Sequence, residues 1–310
     1  MQRKDFLQSL IGASAVIGLP FNSLGADNTT IQELINNTKR AVNGSMFGFS
    51  ADPIKKVRVG IIGLGNRGNT LLEMFQYLVE NEMAEIIALS DISEKKVNKA
   101  AEKLAIWQNK KPSLYYQSAS EWKKLTTRDD IDLVIIATPW DLHTPMAIYS
   151  MENGKHVGSE VPVASTIEDC WKIIETAERT QKHCMMMENC NYNEEELWVL
   201  NMIQEGVFGD ITHTEGAYLH DLRDLLLHDT YYEGQWRLHE HAERDGNFYT
   251  THGLGPIAFY LGIGRGDTFS HLTSMSSREL NLSIAAKQYN HPIQTYKCGD
   301  MNNTMIKTEK

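Results

Sequence analysis

Two hydrophobic rhythms alternate along the first two thirds of this chain. Runs of β-branched and other apolar residues at 57–62, 85–89, 132–137, 155–158 and 184–187, with a shorter one near Tyr115, read as buried strands. Between them lie segments with helical spacing at 69–82, 94–105, 118–125, 145–152 and 166–181. Strands that alternate with helices predict a parallel sheet covered on both faces. Trp107 to Ser113 reads as a solvated basic loop. Beyond Asn193 the rhythm changes. A helix (Glu194–Gln204), an alternating strand (Ile211–His220), a loop rich in Tyr, Trp, His and Arg, a helix opening near Thr251 and a strand at Thr268–Ser276 follow. A last alternating stretch covers 300–308. The predicted class is α/β: a doubly wound parallel Rossmann sheet, then an α+β domain with a mostly antiparallel sheet. So few strands make that second sheet thin, and the domain reads as truncated.

Domain limits follow from these changes of pattern. Residues 55–192 form the expected Rossmann domain and 193–310 the partial α+β domain. Residues 26–54 are polar and turn-rich and read as a linker with one short helix, Thr30–Arg40. At the start, Arg3-Lys4-x-Phe6-Leu7 precedes an apolar run too short to span a bilayer. That is the form of an export signal over residues 1–25, similar to a twin-arginine signal with one Arg replaced by Lys. It predicts an exported, periplasmic protein with no stable membrane span.

Composition adds limits more than direction. With 42% hydrophobic and 23% charged residues, the 310-residue chain is an ordinary globular protein. A formal net charge of −10 argues against nucleic acid as the main partner. The cysteines at 170, 184, 190 and 298 show no metal-type spacing, so no metal site is expected.

Candidate chemistry gathers after the strands, where open α/β sheets bind ligands. The first strand runs into Gly63-x-Gly65-x-x-Gly68 and a helix, the context of a dinucleotide fingerprint. Asp91 ends the second strand, where it serves either NAD ribose hydroxyls or the next helix as an N-cap. Thr144-Pro145 reads as a helix start, leaving Trp140 and His143 to flank a nicotinamide ribose or simply to pack. Ser165-x-x-Glu168 reads as a capping box, so Glu160 is not needed as a cap. Asn189 is placed to bond a nicotinamide carboxamide. In the second domain, Tyr218, Arg237 and Tyr249 through His252 are aromatic, basic and hydroxylated side chains without apolar periodicity, a set suited to a polyhydroxylated ligand. His252 lies near a helix N-terminus, which disfavours positive charge on the ring and suits a neutral general base.

These residues carry a resemblance. The fingerprint, the Thr138-Pro139…His143 loop, Glu160-x-Pro162 and a helical His in the second domain resemble the glucose–fructose oxidoreductase and inositol dehydrogenase superfamily. Gly65-Asn66-Arg67-Gly68, Met185-Met186-Met187-Glu188-Asn189, Tyr218 to Arg223, Trp236-Arg237 and Tyr249-Thr250-Thr251-His252-Gly253 look more narrowly like glycoside hydrolase family 109. The superfamily's dehydrogenases carry a lysine where this chain has Val161, whereas the family 109 pattern has Val; Thr250 departs from that pattern's common Pro.

The resemblance implies an NAD-dependent α-N-acetylgalactosaminidase acting on a terminal α-linked sugar. Asn66, Arg67, Asp91, Trp140, Asp141, Leu142, His143, Glu160, Val161 and Asn189 would hold NAD. Tyr218, Arg237, Tyr249, Thr250, Thr251 and His252 would hold the sugar, with His252 as base and Tyr218 or Tyr249 assisting. The implied chemistry is oxidation at C3, loss of the C2 proton and of the aglycone, water addition and return of the hydride, with no net redox. That route needs no pair of carboxylates across the glycosidic bond. The alternatives are a sugar or cyclitol dehydrogenase, disfavoured by Val161, and a non-catalytic sugar-binding protein with resident NAD. Open sheets in that superfamily often dimerise, so a homodimer is compatible. Family members continue beyond Lys310, including a later substrate-binding tyrosine, so the resemblance implies a missing C-terminal part.

Overall fold

A computed structural model describes residues 45, 46 and 48–310. The expected export signal and the helix at Thr30–Arg40 lie outside the described residues. The chain divides into two compact units, one taking in Ala41–Met187 and the other Glu188–Lys310. The division falls at Met187/Glu188 rather than after residue 192.

In the first unit, six parallel strands stand in the order β3-β2-β1-β4-β5-β6. They are β1 (Val57–Ile62), β2 (Ala84–Ser90), β3 (Ser113–Tyr115), β4 (Leu133–Ile136), β5 (His156–Ser159) and β6 (Cys184–Met186). The helices are α1 (Asn66–Glu80), α2 (Glu94–Leu104), α3 (Trp122–Thr126), α4 (Trp140–Glu152) and α5 (Ile167–Thr180). The strand order reverses between β1 and β4, the switch point of a doubly wound sheet. Successive strand side chains point to opposite faces. Ile61 therefore packs with Leu72 of α1 and Val97 of α2, while Ile62 packs with Met146 and Met151 of α4. Both faces are thus apolar, which is why the strands read as continuous hydrophobic runs.

Local details differ from the expectations in instructive ways. α1 begins at Asn66, ahead of the expected residue 69, so the fingerprint's third glycine lies inside the helix. α4 starts at Trp140, so Thr144-Pro145 is not its start; the Thr144 hydroxyl donates to the Val163 carbonyl at 2.9 Å, and Pro145 sits inside the helix. The cap of α5 is Thr166, whose hydroxyl accepts from Asp169 N–H at 3.1 Å, one residue on from the expected Ser165 box. The 107–113 loop is not wholly solvated. Gln108 is buried, and its amide accepts from Ile86 N–H and donates to Ile86 C=O, both at 2.9 Å, supplying the bonds that a neighbouring strand would. Residues near the end of the expected linker also join this unit, with the Phe49 ring 4.9 Å from that of His183.

In the second unit, a short 3₁₀ turn (Asn189–Tyr192) leads into α6 (Glu194–Gln204). Then come α7 (Arg223–Leu226), α8 (Trp236–Glu243), α9 (Thr250–Tyr260), β7 (Phe269–Ser276), α10 (Asn281–Gln288) and β8 (Asn302–Thr308). Leu226, Leu238, Leu282 and Ala286 form its core between α7, α8 and α10. β7 and β8 pair antiparallel as a two-stranded sheet. The expected strand at Ile211–His220 is not one: among the described residues no strand runs alongside it, and alternation alone does not make a ladder. It is held instead by contact with α9, where Gly216 and Gly253 bring two backbones together. A Cβ on Gly216 would lie 2.7 Å from the Gly253 carbonyl oxygen.

Candidate functional site

The Gly-rich turn of the first unit has the shape of an anion cradle. Gly63 has φ +89°, open to glycine at little cost, and a Cβ there would meet Ala137 O at 2.5 Å. A Cβ on Gly68 would fall 1.9 Å from Gly63 O, so the helix start and the turn fit only without side chains. At Gly65 nothing lies within 4 Å of a Cβ, leaving open space over the helix N-terminus. α1 has no side-chain cap and no acidic residue in its first turn. Its leading N–H groups and positive dipole end are a donor set that fits a pyrophosphate.

The residues expected around that cradle divide into two groups. Asp91 does sit beside the turn: its carboxylate accepts from Leu64 N–H at 2.7 Å and from Ser93 N–H at 2.9 Å. It therefore ties the cradle to the end of β2, and it acts as turn partner and helix-start acceptor at once. Arg67 and Glu160 meet, with Nε donating to Oε1 at 2.8 Å, joining the turn to the segment after β5. Asn66 is exposed at the start of α1, and Asp141 and Leu142 are exposed in the first turn of α4. Trp140, His143 and Val161 are buried. His143 is 1% exposed, and its nitrogens lie 2.8 Å from carbonyl oxygens, Nδ1 from Pro162 and Nε2 from Thr138. Burial pushes its pKa down against the pull of those two carbonyls. A neutral ring carries one N–H, so it donates to one of these two carbonyls and only approaches the other.

The second unit assembles a cluster from four separated segments. His252, in the first turn of α9, points Nδ1 at Glu188 Oε1, 2.7 Å away, with Cys190 Sγ 3.5 Å from the same nitrogen. The Tyr249 ring stacks on His252 with centroids 4.9 Å apart and planes 7° apart. Tyr218, from the extended segment, lies 5.1 Å from Tyr249 and 5.2 Å from His252. Arg237 of α8 is buried, with its guanidinium 4.5 Å over Tyr249 and Nη1 donating to the Tyr232 hydroxyl at 2.7 Å. The cluster thus braces its aromatic rings with a cation. Thr250 donates to Asn247 C=O at 3.0 Å, so its hydroxyl serves its own turn. Thr251 is half-buried in the same turn of α9. Asn189 is exposed and opens the 3₁₀ turn, its amide 3.8 Å from Cys190 Sγ.

Glu188 is the residue that sequence reasoning did not assign. It is 2% exposed, and burial pushes its carboxyl up. Hydrogen bonds from the His252 and Thr251 side chains, and then from the Cys190 N–H, outweigh this and hold it below the ordinary carboxylate range. An ionised carboxylate only accepts, so the Nδ1 of His252 carries the proton and Nε2 is the basic nitrogen of the neutral ring. A signal for this contact was present in the chain. Gly253 and Gly255 stand in the opening turns of a helix, where each costs about 1 kcal/mol against Ala. A Cβ at Gly255 would come within 2.5 Å of Asn191 Oδ1 and 2.9 Å of Glu188 Cγ. The glycines let α9 approach Gly216 on one side and Glu188 on the other.

Comparison with known proteins agrees with both halves. Residues 57–188 match a family model described as oxidoreductase family, NAD-binding Rossmann fold. Residues 192–310 match one described as glycosyl hydrolase 109, C-terminal domain. The whole chain aligns at 42% identity with 67% of a glycosyl hydrolase family 109 protein of Shewanella sp.. The chain belongs to glycosyl hydrolase family 109. An α-N-acetylgalactosaminidase of Shewanella oneidensis aligns with the same identity and coverage. The family places the chain among glycoside hydrolase enzymes built on an oxidoreductase fold. Among solved structures, the WlbA dehydrogenase of Bordetella pertussis, in complex with NADH and UDP-GlcNAcA, superposes with a TM-score of 0.59 at 17% identity, over 81% of this chain and 67% of that one. The scyllo-inositol dehydrogenase of Lactobacillus casei, with NAD(H) and scyllo-inositol, gives 0.58 at 16% identity over 82% and 67%. At such identities the likeness is one of fold.

Proposed function

We propose that the chain serves as an exported, NAD-dependent glycosidase acting on terminal α-linked N-acetylgalactosamine. The observation that carries this is the Glu188–His252 pair stacked against Tyr249 and Tyr218. The pair reads as a general base, a chemistry that does not call for two carboxylates flanking the glycosidic bond. A dinucleotide held at the Gly63–Gly68 turn, with Asp91 and Arg67 beside it, would supply reversible oxidation at sugar C3 and so acidify the C2 proton. His252 Nε2 is then the group to take that proton, while Glu188 keeps the ring in the required tautomer and balances its charge. Tyr249 and Tyr218 offer aromatic faces and hydroxyls to the sugar, and Arg237 holds Tyr249 in place. Val161, buried and without a titratable amine, suits hydrolysis better than net alcohol oxidation.

The test is hydrolysis of an aryl α-N-acetylgalactosaminide in deuterium oxide. The expected outcome is release of the phenol, deuterium at C2 of the product and no accumulating NADH. NADH formed in proportion to product would point to a dehydrogenase instead. For export, sequencing the N-terminus of periplasmic material should find a start before Ala26; a retained Met1 would count against it.

A further inference from the structure

Folding gathers three side chains that the sequence keeps apart. Glu188, Cys190 and His252 place a carboxylate oxygen, a thiol sulfur and an imidazole nitrogen all within 4.8 Å of one another. We propose that they form a binding site for a thiophilic divalent cation of the zinc class, with three protein ligands and the fourth position open.

The donor set favours zinc, and the sulfur–nitrogen distance fits it. Cys, His and Glu are its ordinary ligands, at about 2.3, 2.0 and 2.0 Å in a tetrahedral arrangement. Such bonds put sulfur and nitrogen about 3.6 Å apart, and Cys190 Sγ already lies 3.5 Å from His252 Nδ1. The 2.7 Å contact between Nδ1 and Glu188 Oε1 is a hydrogen bond that the ion replaces, so the metal-bound form lacks the Nδ1 proton of the base proposed above and is a separate, non-hydrolytic state of the same residues. On binding, the Nδ1 proton and the thiol proton leave to solvent, and both donors become metal ligands. Glu188 presents a buried carboxylate to the site, with the His252 and Thr251 side chains beside it. The mount is rigid on both sides, since the Glu188–Cys190 turn is pressed against Gly255 of the helix that carries His252. Cysteine spacing alone does not reveal the site, because its ligands are not arranged in one motif.

The experiment reads binding rather than turnover, so its failure and that of the glycosidase proposal are separable. The reduced full chain is titrated with cobalt(II), whose thiolate ligation produces a charge-transfer band in the near ultraviolet. One equivalent should saturate the band, and zinc should displace it. Cys190→Ser should abolish it, and Cys170→Ser, at an exposed cysteine, should leave it unchanged. Glu188→Gln should weaken cobalt affinity by at least about 10–100-fold, with circular dichroism confirming that each variant is folded. No band from the wild-type chain at excess cobalt, or an undiminished band in Cys190→Ser, would overturn the site.

Discussion

The two units carry chemistry in opposite ways. In the first, the cradle over α1 is one contiguous stretch, Gly63 to Gly68, with Asp91 reaching back from the next strand. In the second, the working cluster is collected from Glu188, Tyr218, Arg237 and Tyr249–His252, and its central hydrogen bond joins residues 64 positions apart. A contiguous motif announces itself through spacing. A dispersed cluster depends on which backbones can come close, and here glycines at 216, 253 and 255 decide that.

The sharpest way to separate the two is to remove the base. His252→Ala should lower kcat for an aryl α-N-acetylgalactosaminide by up to about 10⁴-fold, in the range for general-base loss, and leave dinucleotide binding measured by calorimetry intact. A variant that loses both would break the division of labour. Glycine substitutions probe the frameworks next. Gly68→Ala, with its Cβ 1.9 Å from Gly63 O, should cost about 3 kcal/mol in thermal unfolding. Gly65→Ala meets nothing within 4 Å and should fold normally while losing dinucleotide affinity. Gly255→Ala should instead spare the dinucleotide and reduce kcat, because its Cβ pushes on Glu188 and Asn191.

A buried histidine should also make the stability of the second unit depend on pH. Burial, aided by Arg237, pushes His241 of the second unit down from 6.5 to about 4. The unfolded chain therefore binds more protons than the folded one between these values. Stability from this group is fully present above pH 6.5 and is lost as pH falls toward about 4. A tenfold change in proton affinity is worth about 1.4 kcal/mol, so the loss is about 3 kcal/mol. His241→Phe should flatten that slope in urea titrations at pH 4.5 and pH 7. The smallest effect is Arg237→Lys, which replaces a planar stacked guanidinium with a point charge. It should raise KM or lower kcat by roughly 10-fold, consistent with a buried cation–π contact of about 1–2 kcal/mol.

Much of the fold was legible because its signals are local. β1 at Val57–Ile62 and α6 at Glu194–Gln204 occur where the periodicity puts them. Boundaries failed where a side chain found a distant partner. Thr144 has the chemistry of a cap but bonds Val163. Ile211–His220 alternates like a strand without acquiring neighbours.

What the sequence determined alone was the doubly wound unit, its Gly-rich turn and the aromatic and basic set around His252, all written in short-range spacing and residue type. Only the tertiary structure decided that His252 faces Glu188, that Tyr249 and Tyr218 share its surface, and that Cys190 supplies a third donor. The reason is physical. Spacing fixes the direction of a side chain on its own element, but a hydrogen bond or a ligand set across the chain exists only once two backbones are close enough. That closeness is set by the atoms a residue lacks, at Gly216, Gly253 and Gly255, as much as by those it brings.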